Sequence, residues 1–362
     1  MKAMLLSAGL GRRMLPLTLH LPKPAIPVLG RPMALEILAR MARHGIDEAV
    51  INLHHLPELV EKLLRNGSES ALPELHFSFE KTILGTAGGI GKAAPLLRGA
   101  GPILVHNCDF LCDVDLEHVV ETHRRSGKLA TMVLTKPRRG YPTVEVDAGG
   151  SVLSIAGEPE VDAASVAASH LFTGCHVIEE KVLDLIPPDR PSGIVDDVYR
   201  ALAARGLLGS YIHDGFWWEF GTPEHYLEGN LRLLDLPLDH RLEITTHDAI
   251  HEIAGGVAAL GPGAMLQEGI RIEGRAVIGL ACLLGEGSHV EDSVVMSGAW
   301  IGPACRLEQS VVGPGTEIPA GFECHGALVC GDTGTTAETG TGVRREGELL
   351  IYDFVEDRRP TR

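Results

Sequence analysis

The stretch "IGLACLLGEGSHVEDSVVMSGAWIGPACRLEQSVVGPGTEIPAGFE", residues 278–323, places an aliphatic residue about every sixth position and follows several of them with glycine. It divides into eight imperfect units: IGLACL, LGEGSH, VEDSV, VMSGAW, IGPACR, LEQSV, VGPGTE and IPAGFE. A period of six describes a solenoid, in which each short strand buries one aliphatic side chain and then turns a corner. At three units per coil the segment supplies roughly four coils. From Leu236 to Gly321 the only Phe, Tyr or Trp is Trp300, so aliphatic and small residues must fill this interior.

The repeat resembles the hexapeptide repeat of left-handed parallel β-helices. Working outward, the solenoid is expected over residues 257–331, after a linker at 236–256 rich in charge and histidine. The tail, 332–362, is Thr- and Gly-rich and then charged, with one candidate strand at "ELLIYDF". Residues 1–235 read differently. The runs "AMLLSA", "EAVINL", "LHFSFE", "PILVHN" and "LATMVLT" are strand-like, and "RPMALEILARMARHG", "PELVEKLLRNG" and "DLEHVVETHRRSG" carry helical periodicity between them. This alternation predicts an α/β domain with a doubly wound, mainly parallel, Rossmann-like sheet. "PTVEVDAGGSVLSI" interrupts it as a hairpin around Gly-Gly, and "TPEHYLEGNLRLLD" closes the domain as a helix.

Ligands of such sheets bind at the carboxyl ends of the strands. The loop after the first strand, in "LLSAGLGRRMLPLTLHLPKPAIPV" (residues 5–28), is therefore the first place to look. Gly9 and Gly11 allow a tight turn that turns N–H groups toward an anion. Arg13 offers a planar fork suited to phosphate oxygens. A dinucleotide fingerprint would need a third glycine where Met14 stands, and a Walker loop would need Gly-Lys-Ser/Thr, which is absent. Lys23, between Pro22 and Pro24, is restricted to a defined place.

These residues resemble the signature of the sugar-1-phosphate nucleotidyltransferases, in the form found in mannose-1-phosphate guanylyltransferase-like proteins with a hexapeptide β-helix. Later segments match that family in the same order. "LGTAGG" (84–89) resembles its nucleobase loop, and "VHNCDF" (105–110) its Asn-Gly-Asp strand end, with Cys108 in place of glycine. "TGCHVI" resembles its sugar-pocket strand, and "FWWEFGTPEHYLEGN" its Trp-x-Asp-x-Gly-Thr-Pro segment. The resemblance implies an Mg2+-dependent transfer of a nucleoside monophosphate from an NTP to a sugar 1-phosphate by in-line displacement. Arg13 and Lys23 would be catalytic. Ala8, Gly9, Gly11, Arg13, Gly85, Thr86, Ala87 and Gly88 would hold the nucleotide, Glu158, Thr173 and Gly174 the sugar phosphate, and Asp109 and Glu219 the metal. Such chemistry needs positioning and charge neutralisation rather than a covalent nucleophile. A terminal carboxylate such as Asp109 suits a hard cation, although Asp113 or Asp115 nearby would cap the next helix equally well.

Two departures lie on the acceptor half. Glu219 stands where the family has aspartate, which moves its oxygens outward by roughly an ångström or more. Gly157-Glu158-Pro159 stands where the family has Glu-Lys-Pro, so a lysine is missing, and Arg138 or Arg139 are the nearby cations. GTP with mannose or heptose 1-phosphate is the expected pair, with uridylyl, thymidylyl or adenylyl transfer to glucose 1-phosphate as alternatives. A regulatory homologue that binds nucleotide sugar without turnover is a further reading, and a bifunctional transferase that adds acetyl-CoA chemistry at His289 or His325 in the solenoid is a third. Trp217 and Trp218 are expected to frame the pocket or pack in the core, and His54 and His55 to be loop residues.

A formal charge of -16 argues against nucleic acid or an anionic membrane as partner. No apolar run reaches the roughly 20 residues of a membrane span. Seven scattered cysteines read as buried free thiols in a reducing cytoplasm. The expected state is a cytoplasmic homo-oligomer associated through the β-helix.

Overall fold

The computed structural model describes residues 1–67, 71–188, 190–247, 250–253, 255–334 and 341–354. The chain divides into two compact units, Met1–Gly9 with Ile37–Trp217, and Leu10–Glu36 with Trp218–Arg362.

The first unit is built on a nine-stranded sheet. Lys2–Leu6 lies between Glu48–Leu53 and Ile103–Asn107, parallel to both, and Glu74–Phe79 continues the parallel run at one edge. Ala168–Ile178 follows Ile103–Asn107 in antiparallel register and is long enough to pair with Ala130–Thr135 and Thr143–Val146 as well. Leu208–Ile212 completes the sheet, parallel to Ala130–Thr135. The mainly parallel α/β sheet read from the alternation is present, with this one long antiparallel strand through it. The strand runs are buried almost without interruption, as expected for strands covered on both faces. Met4, Val50, Val105, Met132 and Ile178 share one core with Ala87, Ile90, Ala93 and Leu97 of the helix Gly85–Leu97. Each large aliphatic contributes about 1.5–3 kcal/mol through burial. The Gly-Gly hairpin forms as expected: Val152–Ile155 pairs back on Thr143–Val146, and Asp147 Oδ1 accepts from the N–H groups of Gly149 and Ser151.

In the second unit the period of six becomes geometry. Ile278, Leu284, Val290, Val295, Ile301, Leu307, Val312 and Ile318 are all buried in one core. Strands pair in parallel ladders, such as Met265–Leu266, Leu283–Leu284, Trp300–Ile301 and Glu317–Ile318. Aligned positions such as Leu283, Trp300 and Glu317 recur every 17 residues, so a coil is two units of six and one of five. The five-residue units turn their corner at Asp292 and Gln309, both in the left-handed region. This is the left-handed β-helix that hexapeptide repeats build. Leu349–Asp353 adds antiparallel to Ala327–Gly331 and pairs with Val343–Glu346, so the candidate strand of the tail is real. Residues 335–340 and 355–362 of that tail lie outside the described ones. Part of the stretch read as a linker is helical, at Leu238–Ile244.

The loop after the first strand belongs to this second unit. It makes short 3-10 turns at Arg12–Met14, Leu17–Leu19 and Lys23–Ala25 before the hairpin Pro27–Val28 with Arg31–Pro32. It is pinned to the helix Pro223–Asp235: buried Asn230 accepts from Leu29 N–H at 2.8 Å, and Tyr226 Oη donates to Pro27 O at 2.6 Å. Buried Glu36 accepts from the N–H and hydroxyl of Thr246 and pairs with Arg31.

Candidate active site

The expected site residues fall into two sets, one in each unit. In the first unit, parallel strands end together at one edge. Leu6 is aligned with Asn52 and with Asn107, so Ser7, Ala8 and Gly9 emerge beside Cys108 and Asp109, and Cys108 N–H donates to Leu6 O at 3.0 Å. Space for a Cβ at Gly9 is open, which leaves its backbone approachable. Asp109 sits in the turn after Ile103–Asn107. The helix that follows, Leu116–Ser126, is capped by Asp115, whose side chain accepts from His118 N–H. Asp115, and not Asp109, thus caps that helix. Thr173 and Gly174 come to the same edge, because Cys175 is aligned with His106. Gly174 has φ +92°, and a Cβ there would lie 2.7 Å from Asn107 Nδ2. Thr173 Oγ1 donates to Val133 O at 2.8 Å and accepts from Cys175 N–H, so this hydroxyl holds the strand's register shift. Trp217 Nε1 donates to Thr173 O, and both Trp217 and Trp218 are buried, which places them in the core.

The glycine-rich segment is less of a loop than the sequence suggests. The helix starts at Gly85 itself, which has φ +75°. The first-turn N–H groups of Ala87 and Gly88, which no helical carbonyl can satisfy, donate to Ser192 O at 3.0 and 3.3 Å. Thr86 Oγ1 accepts from Ile194 N–H. Gly85 is the exposed member, while Ala87 and Gly88 are buried. Their small size is a packing requirement: a Cβ at Gly85 would meet Ser192 O at 2.5 Å, and one at Gly88 would meet Leu84 at 2.9 Å.

Two residues missed in the sequence tie these parts together. Buried Asn52 accepts from Ser7 N–H at 2.8 Å and donates to Glu80 Oε1 at 2.7 Å, while Glu80 Oε2 accepts from Leu84 N–H at 2.9 Å. The end of the first strand is thereby joined to the start of the Gly85 helix. The signal was available, since each is a polar residue at the end of an apolar strand, the same rule that singled out Asp109. Glu158 sits beyond the hairpin and is paired at 2.7 Å with Arg200, which also holds Asp196. Arg200, in a helical stretch remote in sequence, was not foreseen, whereas Arg138 stacks over Trp217. His54 Nδ1 meets Glu80 O at 2.9 Å, and the solenoid histidines face glutamates, His289 with Glu273 and His325 with Glu308.

The second unit carries Gly11, Arg13, Lys23 and Glu219. Gly11 is left-handed at φ +62° and starts the Arg12–Met14 turn, and a Cβ would press on Thr18 Cγ2 at 2.8 Å. Lys23 opens the Lys23–Ala25 turn with Pro22 extended before it, the restricted setting its prolines predict. Arg13 Nη2 donates to Glu219 Oε1 at 2.8 Å.

Residues 2–235 match the family model described as "Nucleotidyl transferase". This chain belongs to the nucleotidyltransferase family. Residues 258–328 match the model "GlmU-like, C-terminal hexapeptide". The chain is similar to the UTP–glucose-1-phosphate uridylyltransferase of Synechocystis, with 30% identity over 86% of this chain and 87% of the relative. It is similar to the mannose-1-phosphate guanylyltransferase of Mycobacterium tuberculosis at 30% identity, over 85% and 83% of the two chains. The mannose-1-phosphate guanyltransferase of Candida albicans matches at 27% over 92% and 91%. Among solved structures, HddC from Yersinia pseudotuberculosis shares the fold with a TM-score of 0.53 at 18% identity, covering 64% of this nucleotidyltransferase and 98% of that chain.

All seven cysteines are free thiols, six of them buried, as their spacing suggested. Among the described residues no helix is long and apolar enough to cross a membrane.

Proposed function

We propose that this nucleotidyltransferase transfers GMP from GTP to mannose 1-phosphate or a heptose 1-phosphate, releasing pyrophosphate. The observation that carries the reading is the cationic loop: Arg13 and Lys23 lie on the first and third of its short turns, in a loop pinned by Asn230 and Tyr226 and in a chain similar along most of its length to mannose-1-phosphate guanylyltransferases. In this reading the glycine-loop amides and Arg13 bind the triphosphate, and Lys23 neutralises charge at the α-phosphate under attack. Gly85 and Thr86 lie against the base, and Thr173, Gly174 and Glu158 face the sugar phosphate.

Magnesium is the ion the family implies. Asp109 fits it as a hard oxygen donor at the strand edge, beside Ala8 and Gly9. When bound, the ion would supply positive charge that neutralises the phosphates. Glu219, expected as the second ligand, does not fit as well, because its Oε1 accepts a guanidinium hydrogen bond.

A second reading, uridylyl transfer to glucose 1-phosphate, is favoured by the Synechocystis relative. Pyrophosphate release with magnesium, across the four NTPs paired with mannose, heptose and glucose 1-phosphates, separates these readings. Sugar-dependent release with GTP supports the first, and release with UTP and glucose 1-phosphate the second. A folded protein that binds GDP-mannose and releases nothing would refute both in favour of a regulatory homologue.

A further inference from the structure

We propose that Glu219 is a positioning residue for Arg13 and not the second magnesium carboxylate that its place in the Trp-x-Asp-like segment implies. The assignment rests on the nucleotidyltransferase reading above and specifies how its arginine is held. The geometry has three parts. Arg13 Nη2 and Glu219 Oε1 are 2.8 Å apart, a full charge-assisted hydrogen bond across 206 positions of sequence. The two ends differ in exposure: the Glu219 side chain is 10% exposed and that of Arg13 62%. One nitrogen is thus anchored on a buried carboxylate while the rest of the fork faces outward. Among the described residues Arg13 has no other polar partner, so this bond alone orients it.

The third part is Gly221. A Cβ at this position would lie 2.1 Å from Glu219 Oε1 and 2.9 Å from Arg13 Nη2. Glycine at 221 thus leaves room for the pair, whose flexible ends a Cβ there would push aside. Chain length then explains the glutamate. An aspartate at 219 would retract the oxygen by roughly 1.3 Å, from one C–C bond along its axis. That would stretch the contact past hydrogen-bond range. An arginine on an exposed 3-10 turn would otherwise spend much of its time in rotamers that do not face a phosphate, and ordering it would weaken binding. The buried carboxylate orders it beforehand.

The test compares Glu219→Gln, which keeps an acceptor oxygen at the same reach, with Glu219→Asp, which keeps the charge and loses the reach. Affinity for the nucleoside triphosphate that the wild type binds best is measured by calorimetry in EDTA, where no metal contributes. A positioning role predicts roughly tenfold weaker binding for Glu219→Asp, and binding within about threefold of wild type, or tighter, for Glu219→Gln. In turnover assays KM for the NTP rises in Glu219→Asp with little change in kcat, and the magnesium midpoint stays in place in both variants. In an Arg13→Ala background, Glu219→Asp has no further effect, which a general loss of structure would not reproduce. A metal-ligand role predicts the reverse order: Glu219→Asp keeps the magnesium midpoint, Glu219→Gln shifts it, and metal-free affinity moves in neither. That result, or unchanged or tighter metal-free binding in Glu219→Asp, overturns the assignment. A wild type that binds none of the four nucleotides refutes the nucleotidyltransferase reading together with it, whereas a wild type that turns over beside an unaltered Glu219→Asp refutes the positioning role alone.

Discussion

Acid should unfold the first unit through two buried histidines, and His176→Leu should remove about half of that sensitivity. His176 lies in the core with both ring nitrogens unpartnered among the described residues, beside Phe172 and the equally unpartnered hydroxyl of Tyr199. Burial depresses its pKa from 6.5 to about 3. His106, stacked on Phe110, is depressed by burial to about 4. Both groups are neutral when folded, while the unfolded chain takes up a proton at each below pH 6.5. Their stability contribution is therefore intact above pH 6.5, falls as pH drops toward each folded value, and is flat below it. At about 1.4 kcal/mol per pH unit per histidine, each costs about 3 kcal/mol between pH 6.5 and 4. The sum, about 6 kcal/mol, rivals the whole stability of an ordinary domain. Because two units unfold in one chain, a global melt would mix them. Hydrogen exchange of amides in Ala168–Ile178 and Ile103–Asn107, corrected for intrinsic rates from pH 7 to 4, isolates the relevant one. In His176→Leu the pH slope should be roughly halved, and protection at pH 7 should rise by about 1–2 kcal/mol because an unsatisfied imidazole has gone. An identical slope in wild type and variant would refute the reasoning.

Gly85→Ala should weaken nucleotide binding by one to two orders of magnitude with a small loss of overall stability, since a left-handed alanine costs about 1 kcal/mol and its Cβ would displace Ser192 O from the helix amides. Titration of NTP affinity and a thermal melt on the same sample check both halves. Asn52→Leu should take the partner from Ser7 N–H and from Glu80 Oε1, destabilising the first unit by about 2–4 kcal/mol, and urea-dependent hydrogen exchange of Lys2–Leu6 measures it. Leu307→Ala should cost about 2–5 kcal/mol within the β-helix and leave exchange in Lys2–Leu6 unchanged. Thiol labelling at pH 8 should find at most Cys324 reactive in the native protein and all seven cysteines after denaturation, because the other six are buried from the reagent and burial raises the Cys112, Cys175 and Cys330 thiols.

Much of this was written locally. The period of six in residues 278–323 determines the solenoid, because a side chain that must face inward at every corner leaves its spacing in the chain. The strand–loop alternation, Thr222 and Asp115 as helix caps, and the Gly-Gly hairpin are likewise decided within a few residues. The prolines around Lys23 and the positive φ of Gly11 act through the backbone of their own turn. What remained hidden depends on partners distant in sequence. Only the folded chain joins Arg13 to Glu219, Glu158 to Arg200 and Asn52 to Glu80, and only there does Ser192 O reach the first turn of the Gly85 helix. Only there does the loop 10–36 become part of the unit that holds the β-helix. A carboxylate's chemistry is set by the group within 3 Å of it, and at Glu219 that group comes from the far end of the chain. The residue type was legible, and its role was decided by tertiary contact.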